Sequence, residues 1–112
     1  MNERRRLPER RKVINTDFSH NDLKYIASFG FFPDGSLSEI FVNSQKKVGN
    51  EGDINASDAA VAISLALQYG CPLETLRSAM KRNRDGSPLG PITHALDLAA
   101  QIIEGDKVVE LK

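Results

Sequence analysis

Residues Asp22–Asn43 read DLKYIASFGFFPDGSLSEIFVN. In the first half, Leu23, Tyr25, Ala27, Phe29 and Phe31 fall on one side at a period of two, while Lys24 and Ser28 fall on the other. That alternation predicts a half-buried strand over Asp22–Phe31. The segment FPDGS, Phe32–Ser36, then supplies a turn, because proline presets φ and glycine accepts a positive φ. Leu37–Asn43, LSEIFVN, is rich in β-branched and aromatic residues and predicts a second strand.

Upstream, Lys12–Ser19 alternates more weakly, with Val13 on one side and Ile14, Thr16 and Phe18 on the other. The polar Ser19–Asp22 joins it to the central strand as a hairpin. Short connections force antiparallel neighbours, so the three segments predict a β-meander.

Downstream, Ser44–Asp53 reads as a polar, glycine-containing loop. Asn55 or Ser57 then suits the N-cap of a helix, with Asp58 in its first turn. From Ala59 to Tyr69 that helix is apolar on nearly all sides, which requires cover on more than one side. The sheet supplies one cover; later helices or a second subunit supply the other. Gly70 stands at the left-handed position that ends a helix, and Pro72 opens a second helix reaching about Arg82 with Leu73, Leu76 and Met80 inward. Asn83–Pro91 is a loop by its turn residues, and a last helix over Pro91–Glu104 stops at Gly105. The order βββααα predicts an α+β domain, a three-stranded antiparallel meander with about three helices packed on one face. Its bounds are 13–105, between a basic flexible arm at 1–12 and a tail at 106–112.

The 112 residues suit one domain, and 40% hydrophobic with 27% charged residues is an ordinary soluble composition. No apolar run is long enough for a transmembrane helix and no apolar segment follows the basic start, so neither a membrane nor a secretory signal is expected, and the cytoplasm is the expected compartment. Net charge is zero, yet Met1–Lys12 carries six bases against two acids, which leaves +4 there and −4 on the rest. Arg4, Arg5, Arg6, Arg10, Arg11 and Lys12 therefore form a candidate arm for phosphate or nucleic acid. A solvated terminus is the plainer reading, and the acidic body offers no second basic surface.

Three further constellations bear on chemistry. Cys71, the one cysteine, sits at the start of a helix, where a thiol is activated; no base is brought beside it by the spacing, and a small apolar corner residue is the favoured reading. His94 and Asp97 lie three apart and share a helix face, as a general-base pair or as a solvated hydrogen-bonding pair. Lys46, Lys47, Gly49 and Asn50 lie in the loop between the third strand and the first helix, where freed amides and ammonium groups suit an anion. Glu51 and Asp53 oppose that use, and the P-loop spacing is absent.

The order DGSLSEIFVN, a lysine and glycine loop, then DAAVAISLALQYGCPLETLRSAM resembles the TSCPD-type C-terminal domain of adenosylcobalamin-dependent ribonucleotide reductases. The likeness runs from Phe31 to Met80 and, more loosely, through GSPLGPITHALDL; it also extends to small stand-alone bacterial proteins with an Arg-rich arm. It implies a module without the reductase barrel, in which the radical chemistry and cobalamin binding reside. No Thr-Ser-Cys-Pro-Asp motif is present, and a lone thiol cannot serve as a dithiol. The reading that follows is a non-catalytic accessory module, without a cofactor, that associates with itself as a dimer or with a protein such as a ribonucleotide reductase. Its interface is expected along Val61, Ile63, Leu65, Leu67 and Tyr69. The alternatives are a nucleic-acid-binding protein using the arm and a subunit or fragment of a reductase in nucleotide reduction.

Overall fold

The computed structural model describes residues 3–45 and 51–110. Three strands, β1 (Val13–His20), β2 (Leu23–Phe31) and β3 (Leu37–Ser44), precede three helices, α1 (Glu51–Gln68), α2 (Leu73–Ala79) and α3 (Pro91–Glu110). The sheet is antiparallel in the order β1-β2-β3, so the expected α+β meander is the fold.

Its turns are set by local chemistry. Asn21 and Asp22 both take positive φ, 50° and 64°, and form a two-residue turn between the paired His20 and Leu23. Asn and Asp tolerate that conformation better than other side-chain-bearing residues. Gly35 takes φ 90° in the second turn, which the Ser36 amide closes by donating to Asp34 Oδ1 at 2.9 Å. A bulge between Gly30 and Phe31 shifts the β2–β3 register there.

Tyr25, Ala27, Phe29 and Phe31 of β2 point with Ile40 and Val42 of β3 into the core, where they meet Ala60, Ile63 and Leu67 of α1 and Ala95, Leu96 and Ala99 of α3. Phe29, Ile40 and Leu96 are wholly enclosed. Each contributes about 1.5–3 kcal/mol by leaving water. Leu23, expected on the same face, lies at the hairpin end and is exposed.

The helix ends differ from the sequence reading in four places. Helix α1 begins at Glu51, so Asn55 and Ser57 lie inside it and not at its N-cap position. Burial of Ala56 against the core requires the helix to be running already, and packing outweighs a local cap preference. Pro72 is the residue before α2 rather than its first, and α2 ends at Ala79, because Met80 turns to an extended ψ of 150°. Gly105 does not stop α3, which runs to Glu110 through the expected tail; its surroundings are open, and glycine is tolerated inside a helix at a cost of about 1 kcal/mol. At the α1 end the reading holds. Gly70 has φ 98°, its amide donates to Leu67 O at 3.1 Å, and the Cys71 amide donates to Ala66 O at 2.9 Å, the paired bonds of a Schellman ending.

Candidate functional site

Helix α1 is divided lengthwise. Its inner side buries Ala60, Ile63, Ser64, Leu67 and Gln68, while Val61, Leu65 and Tyr69 stay 53%, 40% and 43% exposed. The five residues expected to form one interface are therefore split. Ile63 and Leu67 belong to the domain's own core, because successive odd positions on a helix point in different directions, 200° apart rather than on one face.

The two polar residues on the inner side act on β3. Ser64 Oγ accepts the Ile40 amide at 2.9 Å and lies 3.0 Å from Ile40 O and 2.8 Å from Ala60 O, either of which it serves as donor. Gln68 Nε2 donates to Ser38 O at 3.2 Å. These are outward-facing groups of an edge strand, and α1 satisfies them in place of a fourth strand. The Ser-x-x-x-Gln spacing in an otherwise apolar helix is the sequence signal for this contact, which the periodicity alone passes over.

The basic arm lies along the domain rather than away from it. Arg4 Nε donates to Gln68 Oε1 at 2.7 Å, and the Arg5 amide donates to Gln68 O at 2.7 Å, at the carbonyl end of α1. Arg5 also pairs with Asp34 at 3.1 Å and stacks 3.8 Å from the Phe32 ring centroid. Its neighbour Arg11 pairs with the buried Glu39. Glu39 lies over Gly30, where an added Cβ would stand 2.6 Å from Glu39 Cγ. Asp34 is pulled down to about 2, chiefly by hydrogen bonds from the Ser36 side chain and amide and then by Arg5. Arg6 and Arg10 are exposed.

A groove of about 1020 Å³ runs between the arm, the β2–β3 turn and the α1–α2 junction, and both Arg10 and Cys71 line it. The Cys71 thiol is half-buried and lies 3.8 Å from Pro72 O. Neither histidine lines this groove, so among the described residues no imidazole stands by to activate the thiol.

The histidines meet each other instead. His20 Nε2 is 3.0 Å from Leu89 O and its Nδ1 is 3.2 Å from His94 Nδ1. A carbonyl only accepts, so the His20 proton sits on Nε2, and His94 donates from Nδ1. His94 also packs at 4.8 Å on the Phe18 ring. Burial first, then the nearby His20, pushes the His94 pKa below its ordinary value. Asp97 is not its partner. It accepts from Arg77 at 2.9 Å and from Arg82 at 2.8 Å, which hold its carboxyl below the usual range, so the His94–Asp97 pair suggested by spacing does not form. The candidate anion residues Lys46, Lys47, Gly49 and Asn50 lie outside the described residues. Among the described residues no three His, Cys, Asp or Glu side chains converge as metal ligands, and no helix is long and apolar enough to cross a membrane.

Comparison with known proteins gives a consistent family. The TSCPD domain matches residues 3–107, including most of the arm. A vitamin B12-dependent ribonucleotide reductase of Bradyrhizobium diazoefficiens is 35% identical over 92 residues, 82% of this chain and 7% of that protein. Its counterpart in Agrobacterium fabrum is 39% identical over 72 residues, 64% of this chain and 6% of the reductase. That of Streptantibioticus cattleyicolor is 36% identical over 84 residues, 72% of this chain and 13% of the relative. The chain thus spans only a small part of these relatives. No solved structure matches it significantly. With the match running over nearly all of its described length, the chain belongs to the TSCPD domain family, as a module related to a small part of vitamin B12-dependent ribonucleotide reductases.

Proposed function

We propose that the protein is a non-catalytic binding module that works in the cytoplasm through protein–protein association. The observation that carries this is the outer face of α1, where Val61 and Leu65 are exposed beside Tyr69 on a helix whose other face is fully used by its own core. An exposed apolar stripe of this kind suits a protein surface better than water. Its candidate occupants are a ribonucleotide reductase, as the relatives suggest, and a second copy of the chain. No cofactor is required by this reading.

The internal use of Arg4, Arg5 and Arg11 counts against the arm as a nucleic-acid grip. Nucleotide reduction by the chain itself has less support still, since one cysteine cannot be both radical thiol and reducing pair. The test is capture of a purified vitamin B12-dependent ribonucleotide reductase by the immobilised chain, with Leu65→Asp as the variant. Capture lost in Leu65→Asp is the expected result. Equal capture by both proteins, or none by either together with an unaltered sedimentation coefficient in Leu65→Asp, would remove the α1 face from the account.

A further inference from the structure

We infer that the outer edge of β1 is the contact between two copies of this chain, joined antiparallel about Thr16 so that their sheets run on as one. This goes beyond the reading above: it places the second copy on the edge and leaves the α1 face to another protein.

The hydrogen-bond phase of β1 follows from the hairpin. A two-residue turn makes the flanking His20 and Leu23 a bonded pair, so Phe18, Thr16 and Ile14 bond to β2 in alternation. The bond from the Phe31 amide to Lys12 O at 3.1 Å continues that phase. Val13, Asn15, Asp17 and Ser19 must then aim their N–H and C=O groups away from the sheet. All four residues are exposed, and among the described residues none supplies a partner for those groups.

Monomeric proteins blunt such an edge with proline, lysine, a bulge or a covering element. β1 contains neither proline nor lysine, its one charged residue is Asp17, and its pairing with β2 is unbroken from Val13 to His20. The β3 edge, by contrast, is covered by α1 through Ser64 and Gln68.

The side chains choose a second copy and its register. Centred on Thr16, the antiparallel pairing sets Asn15 opposite Asp17 and Val13 opposite Ser19 on one face. On the other, Thr16 meets Thr16 and the half-buried Ile14 meets Phe18, both favourable cross-strand pairs. Arg10 of each copy then approaches Asp22 at the hairpin tip of the other, opposite charges on two exposed residues. Centring on Asp17 would oppose two carboxylates, and centring on Asn15 would leave Phe18, Ser19 and His20 beyond the strand of the other copy.

The test is sedimentation of the full chain over a range of concentrations, with two variants. Asn15→Pro removes an outward N–H that no β2 residue uses, so it keeps the fold by circular dichroism and moves the dimer to monomer. Thr16→Cys with Cys71→Ser forms a disulfide-linked dimer on mild oxidation, since residues opposed across a two-fold axis come within bridging distance, whereas Val13→Cys on the same background does not. A monomeric parent at every concentration, a dimer undiminished in Asn15→Pro, or equal cross-linking at Val13 and Thr16 overturns the proposal. A dimer lost in Leu65→Asp but kept in Asn15→Pro also overturns it, and assigns the contact between copies to α1.

Discussion

Along β3 the outward backbone groups of Ser38 and Ile40 meet Gln68 and Ser64; along β1, two strands away, those of Val13, Asn15, Asp17 and Ser19 meet none of the described residues. Both are edges of one small antiparallel sheet. What separates them is two polar side chains, four residues apart on α1, that lie over β3 and have no counterpart over β1. An edge is closed by hydrogen-bonding groups at the right spacing, and apolar cover over the face does not substitute for them.

The largest expected effect breaks the closed edge. Ser64→Ala leaves the Ile40 amide buried without its acceptor and should cost about 1–3 kcal/mol in chemical denaturation. Gly30→Ala comes next, since the new Cβ collides with Glu39 beside the Arg11 ion pair; a loss of about 1–3 kcal/mol is expected, with weaker anchoring of the arm seen as faster proteolysis there. On the open edge, Asn15→Pro should leave the stability of the monomer within about 1 kcal/mol of the parent, because an edge strand tolerates proline where its N–H faces outward. A stability loss as large as that of Ser64→Ala would mean that the two edges are not different after all.

Acid sharpens the comparison at the end of β1. The folded-state pKa of His94 lies below its ordinary 6.5, so the unfolded chain takes up the proton more readily. Its contribution is complete above that value and is lost as pH falls through the lowered one. Denaturation midpoints of the parent should drop as pH falls below about 6.5, and His94→Gln should flatten the drop. Asp34, Asp85 and Asp97, all held below their ordinary 3.8, act in a lower window and should fall away alike in both proteins. The smallest effect belongs to Cys71→Ser, at a half-buried corner fixed by backbone bonds of Gly70 and Cys71, where a change within about 0.5 kcal/mol is expected.

Much of this was legible in the residues. Tyr25, Ala27, Phe29 and Phe31 gave the buried face of β2 by alternation, and Gly70 marked the end of α1 by its need for a positive φ. The interface residues were half legible, because an almost wholly apolar helix hides which of its sides is inward; Ile63 and Leu67 turned to the core and Val61 and Leu65 did not. The contacts of the arm were not legible for a related reason. Six bases in twelve residues suggest a solvated tail, but Asp34, Glu39 and Gln68 wait for Arg5, Arg11 and Arg4 at positions 29, 28 and 64 residues away, and spacing that long leaves no local trace.

The order of elements, the turns and the family likeness were thus set by the sequence alone, since each rests on periodicity or on the φ that a residue allows. Which edge of the sheet is covered, which side of α1 faces water and which carboxylate holds each arginine were decided only by tertiary structure. These depend on groups far apart in the chain arriving together, and a hydrogen bond is made at about 3 Å or not at all.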